Sequence, residues 1–213
     1  MIHMTETLAV QTVEGFLTAE ETDGLTKILD EHLATTGWVP ARPSEGMTPP
    51  REAQAILDGA LQRSLPALRR AFPSATDTDP WLYHDLKPGD AIRPHVHGVG
   101  DPGAVPQRIA RIAFNLEDAE EGGEFYLDTC SANALWSDAA APPGSAYGPG
   151  TRFVHEITAR RGPVRLADVP HTRWTCTPPP GTTVAYGTQL VHGVLPVVRG
   201  RVRKLITNLL ARG

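Results

Sequence analysis

The chain has 213 residues, 40% of them apolar, with a net charge of −4 and a pI near 6. That is enough for one domain with a real core, and it leaves no basic surface of the kind that grips nucleic acid. Two cysteines, Cys130 and Cys176, rule out a disulfide framework. The absence of a leader pattern and of any apolar run near the roughly 20 residues that span a bilayer gives the expectation of a cytoplasmic protein with no membrane partner.

In chain order, "LAVQTVEGFL" alternates and reads as a strand entering a turn. "TAEETDGLTKILDEHLATTG" reads as a helix. Thr18 is its N-cap, Glu21 completes a capping box, Leu25, Ile28, Leu29 and Leu33 form the stripe, and Gly37 is the stop. "WVPARPSEGMTPP" is a loop, and "REAQAILDGALQRSLPALRRAF" a second helix bent or broken at Pro66. From about residue 80 short apolar segments alternate with Gly and Pro. "WLYHDLKPGDAIRPHVHG" reads as two strands around the turn Lys87-Pro88-Gly89-Asp90. In "RIARIAFNL", Ile109, Arg111, Ala113 and Asn115 oppose Ala110, Ile112, Phe114 and Leu116. "GGEFYLD", "TRFVHEIT", "PVRLADV", "TRWTCT", "GTTVAYG", "QLVHGVLPVV" and "RKLITNLL" follow as strands, with a loop insert around residues 129–150. Helices first and many short strands after predict an α+β protein of one domain over 1–213. Its helical part covers 1–80 and its antiparallel β core 81–213.

The chemistry concentrates in "AIRPHVHGVGDP". His95 and His97 stand i, i+2, which on a strand turns both imidazoles to one face. His192, in "GTQLVHGVLPVVRGR", is the candidate third ligand, because a sandwich can bring a late strand beside an earlier one. His155 and His171 carry no assignment.

"RPHVHG", "RIARIAFNLEDAEEGGEFYL" and "PPPGTTVAYGTQLVHGVLPVVRGR" together resemble the iron(II)/2-oxoglutarate-dependent dioxygenases, in their prolyl-hydroxylase-like branch. His95 matches that family's first metal histidine, Gly122-Gly123-Glu124 its Gly-Gly-Glu, Pro178 to Gly181 its Pro-x-x-Gly turn, and His192 its distal histidine. Pro196-Val197 and Gly200 match the segment after it. The likeness covers roughly residues 80–212 and, more loosely, "VEGFLTAEE". It implies a double-stranded β-helix (jelly-roll, cupin-like) core with the N-terminal helices packed on one sheet. It also implies Fe(II) and 2-oxoglutarate as cofactors, molecular oxygen as co-substrate, and oxidation, by default hydroxylation, of an unactivated C–H bond. The substrate class left open is a small molecule, amino acid or short peptide.

One position departs from the family: His97 stands where its motif has Asp or Glu. Three readings stay open. His97 is the third ligand; or Asp101, four residues on, supplies the carboxylate; or iron is not bound productively. The resemblance also implies a cation for the far carboxylate of 2-oxoglutarate, with Arg201 and Arg203, nine and eleven residues after His192, as candidates. Tyr83 and Asn115 are candidate co-substrate contacts, Arg111 shares the face of Asn115, and Tyr126, Trp136 and Trp174 are candidate pocket walls. The alternatives are a three-histidine metal dioxygenase that does not use 2-oxoglutarate, and a non-catalytic metal or small-molecule binding module.

Overall fold

The computed structural model describes residues 2–98, 105–130, 152–153 and 171–212. A 3-10 helix, Met4–Leu8, opens the chain and leads into strand β1 (Val10–Val13). Helix α1 (Ala19–Thr36) begins where the sequence predicts. Thr18 accepts from the Glu21 amide at 3.1 Å, and the Glu21 carboxylate accepts from the Thr18 amide at 3.0 Å. It ends at Gly37, whose φ of 62° lets its N–H reach back to the Leu33 carbonyl. Helix α2 (Arg51–Leu68) buries Leu57, Ala60, Leu61, Ser64 and Leu68 along one stripe. Pro66 does not break it: the proline falls in the last turn, and the helix stops at Leu68 two residues later.

The strands that follow are β2 (Ala75–Thr78), β3 (Leu82–Leu86), β4 (Ile92–His95), β5 (Gln107–Glu117), β6 (Glu121–Gly122), β7 (Phe125–Cys130), β8 (Arg152–Phe153), β9 (His171–Cys176), β10 (Thr183–Gly187), β11 (Val191–Val194), β12 (Val197–Arg199) and β13 (Val202–Ala211). The insert expected around 129–150 lies outside the described residues beyond Cys130, as do "PVRLADV" and most of "TRFVHEIT".

Two antiparallel sheets carry the fold. The major sheet runs β1-β10-β5-β13-β2, with β3 also on β13, and the minor sheet runs β4-β11-β7-β9-β8. This is the double-stranded β-helix that the resemblance implied, with the helices on one sheet. Phe16, Leu25, Leu29, Leu57 and Trp81 pack with Ile112, Phe114, Leu205 and Leu209 on the helix side of the major sheet. Ala113, Phe125, Leu127, Val184, Tyr186 and Ile206 fill the space between the sheets. The alternation read in "RIARIAFNL" holds from Ala110 on: Ala110, Ile112 and Phe114 face the helices, while Arg111 and Ala113 face inward; Ile109, expected to oppose Ala110, packs in the helix-side cluster with it.

The Gly-Gly pair has a packing cause. Gly122 and Gly123 have φ of 76° and 77°, and a Cβ on Gly122 would run into the Pro196 carbonyl. The bare backbone lets the Gly123 N–H donate to Pro196 at 3.1 Å and β6 pair with β12. That contact closes one end of the β core around Leu86, Val194, Val197 and Val202.

The N-terminal turn is pinned by Glu6, which is 1% exposed. Its carboxylate accepts from the His3 amide at 3.0 Å, and from the amide and hydroxyl of Ser74 at 2.9 and 2.7 Å. Burial alone would raise its pKa, but these hydrogen bonds bring it below the ordinary glutamate value. A depressed folded value means stability that is present above the unfolded pKa and lost as pH falls through the folded one. Glu6→Gln is expected to lower unfolding free energy by about 1–3 kcal/mol at pH 7. The deficit should begin to shrink as pH falls below the ordinary glutamate pKa and be smallest below the lower folded value, where the folded carboxylate takes up its proton. Urea titrations at pH 7 and pH 4 measure both quantities.

Candidate metal centre

Strand pairing builds the site. β4 and β11 are antiparallel neighbours in which His192 stands directly opposite His95, and paired residues of an antiparallel ladder share a face. His97 lies two residues beyond His95, the last position of β4. Its amide and that of Gly98 both donate to the Thr188 carbonyl, at 3.1 and 2.9 Å. Thr188 in turn donates from its amide to Ile109 on β5. The segment carrying His97 is thus tied to the major sheet rather than running on as strand.

The ring centroids are 4.2 Å apart for His95 and His192, 4.9 Å for His97 and His192, and 5.0 Å for His95 and His97. One ring nitrogen of each lies within 4.8 Å of the other two. In His95 the Nδ1 is 2.9 Å from the Arg93 carbonyl, and in His192 it is 2.9 Å from the Leu190 carbonyl. A carbonyl only accepts, so each Nδ1 carries the proton and each Nε2 presents a lone pair. His192 Nε2 is buried with no hydrogen-bond partner. Burial of the His192 ring, followed by its histidine neighbours and Arg111, holds its pKa down to about 3. His97 sits at the rim with its inner side packed on the other rings. Desolvation of that side, followed by the charges of Arg111 and His95, holds it down to about 4. A buried acceptor with nothing to accept from, beside two further imidazoles, fits a divalent transition metal. Among the described residues this cluster contains no carboxylate; Asp101 lies outside them.

The histidines open into a cavity of about 820 Å³, and among the described residues no Asp or Glu lines it. Lys204 does line it. The residue is 7% exposed, its ammonium is 4.9 Å from the Phe125 ring centroid, and burial pulls its pKa down to about 8. Arg111 lines it as well. Its Nε donates to Asn208 Oδ1 at 3.2 Å, and a further hydrogen bond goes to Tyr186. Tyr186 packs 4.7 Å from the His192 ring, and burial holds its phenol up at about 12. His84 is the third basic group on the wall, a neutral imidazole pushed down to about 4 by burial and by Arg111 and Lys204.

The structure brings His95, His97, His192 and Arg111 together, as the sequence suggests. It places the other candidates elsewhere. Arg203 is on the helix side of β13, where it donates to the Tyr83 hydroxyl at 3.0 Å and to Asp30 on α1 at 2.6 Å. Tyr83 is fully buried there. Arg201 pairs with Glu117 at 3.1 Å, and Asn115 donates to Asp118 at 2.6 Å. Trp174 packs between the sheets, whereas Tyr126 carries the Arg173 guanidinium 4.2 Å over its ring. His171 lies 3.8 Å from Asp128, and Trp136 and His155 lie outside the described residues. Lys204 was missed. The available signal was a lysine, one of only three in the chain, at the head of an apolar strand.

No family model matches the sequence, and no curated protein matches it. Solved structures do match its fold. A viral collagen prolyl hydroxylase of Paramecium Bursaria Chlorella virus-1, solved as a 2OG complex, superposes with a TM-score of 0.59 at 16% identity, covering 98% of this chain and 99% of that one. A prolyl-4-hydroxylase of Pseudomonas putida gives 0.60 at 16% identity, with 97% and 95% covered. The fold is that of these prolyl hydroxylases, and at this identity the likeness is one of fold.

Gly193, next to His192, holds the ligand strand in place, because a Cβ there would strike the Ile92 carbonyl and the Tyr126 hydroxyl. Replacing His95 or His192 by Ala is expected to weaken Co(II) binding by more than about a hundredfold, since each removes a direct ligand. Gly193→Ala should weaken it by forcing β4 off β11. Titration followed by the cobalt d–d absorption measures all three. Unchanged affinity in His192→Ala would remove that residue from the metal centre.

Proposed function

We propose that the chain is a non-haem iron(II)- and 2-oxoglutarate-dependent oxygenase that oxidises, most simply by hydroxylation, an unactivated C–H bond of a small molecule, amino acid or short peptide. The observation that carries this reading is the buried, unpartnered Nε2 of His192 facing His95 and His97 in a cavity that also holds a buried lysine. The shared fold with 2-oxoglutarate-dependent prolyl hydroxylases supports it. His95, His97 and His192 would hold the iron. Bound iron and 2-oxoglutarate would supply the oxidising power, with O2 consumed and the co-substrate converted to succinate and CO2.

The chain's own contribution is placement and exclusion of water. Hydrogen bonds from the two Nδ1 atoms to Arg93 and Leu190 fix how His95 and His192 aim. Phe125, Tyr186, Leu82 and Ile206 give the cavity apolar walls. Lys204 supplies the charge for the far carboxylate of 2-oxoglutarate, the role that the sequence offered to Arg201 or Arg203. Those two arginines are already engaged by Glu117 and by Asp30 and Tyr83. The three-histidine set also favours a second reading, a metal dioxygenase that takes its substrate directly on the ion without 2-oxoglutarate.

One titration separates the two. Fe(II) is added anaerobically, then 2-oxoglutarate, and the visible spectrum recorded. The first reading predicts a weak, broad charge-transfer band that needs both additions and is absent in His95→Ala. Iron bound with no band overturns it in favour of the second. Lys204 adds a pH signature. It faces His84 from β3, Arg111 from β5, Phe125 from β7 and Cys176 from β9, and it also feels Asp118. Among these, the Cys176 thiol is pushed up by burial and His84 is already neutral, so Lys204 is the group that changes charge just above neutrality. As pH rises through about 8 the ammonium loses its proton. 2-Oxoglutarate affinity should then fall by up to about tenfold per pH unit, and Lys204→Met should bind it weakly and without that slope.

A further inference from the structure

The cavity holds more positive charge than one co-substrate uses. Arg111 and Lys204 both face into it, Arg93 stands at its edge, and among the described residues no carboxylate lines it. Arg111 makes no ion pair among the described residues; its recorded partners are the neutral Asn208 amide and the Tyr186 hydroxyl. Those two bonds use part of a five-donor guanidinium and leave the rest of the fork for a ligand. Its charge is felt by His84, His97, His192 and Lys204 alike, all of them basic.

Position separates the two cations. Lys204 pairs with Asn115 across the β13–β5 ladder and Arg111 with Asn208, four residues further along. Four residues of strand are about 13 Å. Arg111 is at the histidine end. Its neighbour across β10 is Tyr186, whose ring packs on His192. Ile109, two residues before it, receives the Thr188 amide whose own carbonyl holds His97. A co-substrate anchored on Lys204 at one end and on the metal at the other leaves Arg111 without a carboxylate. The volume of about 820 Å³ leaves room for a second small molecule beside it.

We propose that Arg111 binds the carboxylate of the substrate, and that the substrate is a small free carboxylic acid, an amino acid among them, rather than an internal residue of a polypeptide. This rests on the 2-oxoglutarate reading for the assignment of Lys204. The fork of Arg111, steadied by Asn208 and Tyr186, is a specificity determinant: it grips a planar carboxylate in two places and offers nothing comparable to an amide. A C–H bond a few atoms from that carboxylate would lie over the three histidines.

The test uses full-length protein loaded with Mn(II), which binds ligands without turnover. The probes are the free L-amino acids and simple C3–C6 monocarboxylic acids, each beside its primary amide, titrated by calorimetry with 2-oxoglutarate saturating. At least one acid is expected to bind at least about tenfold more tightly than its amide. Arg111→Gln should lose at least about tenfold in affinity for that acid while losing less for 2-oxoglutarate, and Lys204→Met should show the reverse. Arg111→Lys, which keeps the charge without the fork, should fall between and guards against simple misfolding. The proposal is overturned if acids and amides bind alike, if no acid in the set binds, or if Arg111→Gln weakens 2-oxoglutarate as much as the acid. If 2-oxoglutarate itself does not bind the Mn(II) protein, the co-substrate reading has failed. The acid-against-amide comparison, repeated without it in wild type and Arg111→Gln, then decides the role of Arg111 alone.

Discussion

The site depends on the register of one strand pair. His192 lies opposite His95 because β4 and β11 pair antiparallel at that position, and a slip of one residue would turn one imidazole away from the other. Three features hold the register. Gly193 allows the backbones of β4 and β11 and the Tyr126 ring to approach where a side chain would collide. β7 pairs on the far side of β11 and places Leu127 against His192. Thr188 fastens the chain after β4 to the major sheet, so His97 reaches the cluster although it stands outside the strand. Arg93 on β4 and Leu190, the residue before β11, supply the carbonyls that fix the Nδ1 protons of His95 and His192. Tautomer and aim follow from backbone already committed to the fold.

β13 shows how adjacent residues divide between structure and site. Arg203 turns to the helices and joins Asp30 on α1 to Tyr83 on β3, while Lys204, the next residue, turns into the cavity. The sequence could not say which. In β5 the polar and apolar residues alternate, so the inward face was legible, and Arg111 with it. β13 is buried along nearly all its length, with helices on one side and the cavity on the other. A strand covered on both faces has no alternation to read. The register irregularity between Arg203 and Lys204, where β5 takes an extra residue, adds an offset that counting from His192 does not carry. The same limit explains the missed elements. The 3-10 helix at Met4–Leu8 is held by Glu6 reaching Ser74, a contact 68 residues distant in sequence. β2 is a short, mostly polar strand that exists because β13 offers it an edge. By contrast the Thr18/Glu21 cap, the Gly37 stop and the histidine pair are local patterns with local causes, and each was readable from the residues alone.

Charge then constrains what the cavity accepts. Three imidazole ligands would leave a divalent ion with its full charge, where a carboxylate among the ligands would cancel one unit. Lys204 and Arg111 add to that charge within the same low-dielectric enclosure, and the described residues lining it supply no acid. Burial depresses the Lys204 pKa, and the charge of Arg111 adds to that effect. A fold keeps such an arrangement at a cost in stability, and binding of anions relieves it. Anionic ligands are therefore the ones whose arrival the cavity favours: a dicarboxylate reaching from a bound metal to Lys204 would account for part of the charge, and the guanidinium of Arg111 would leave a place for one carboxylate more.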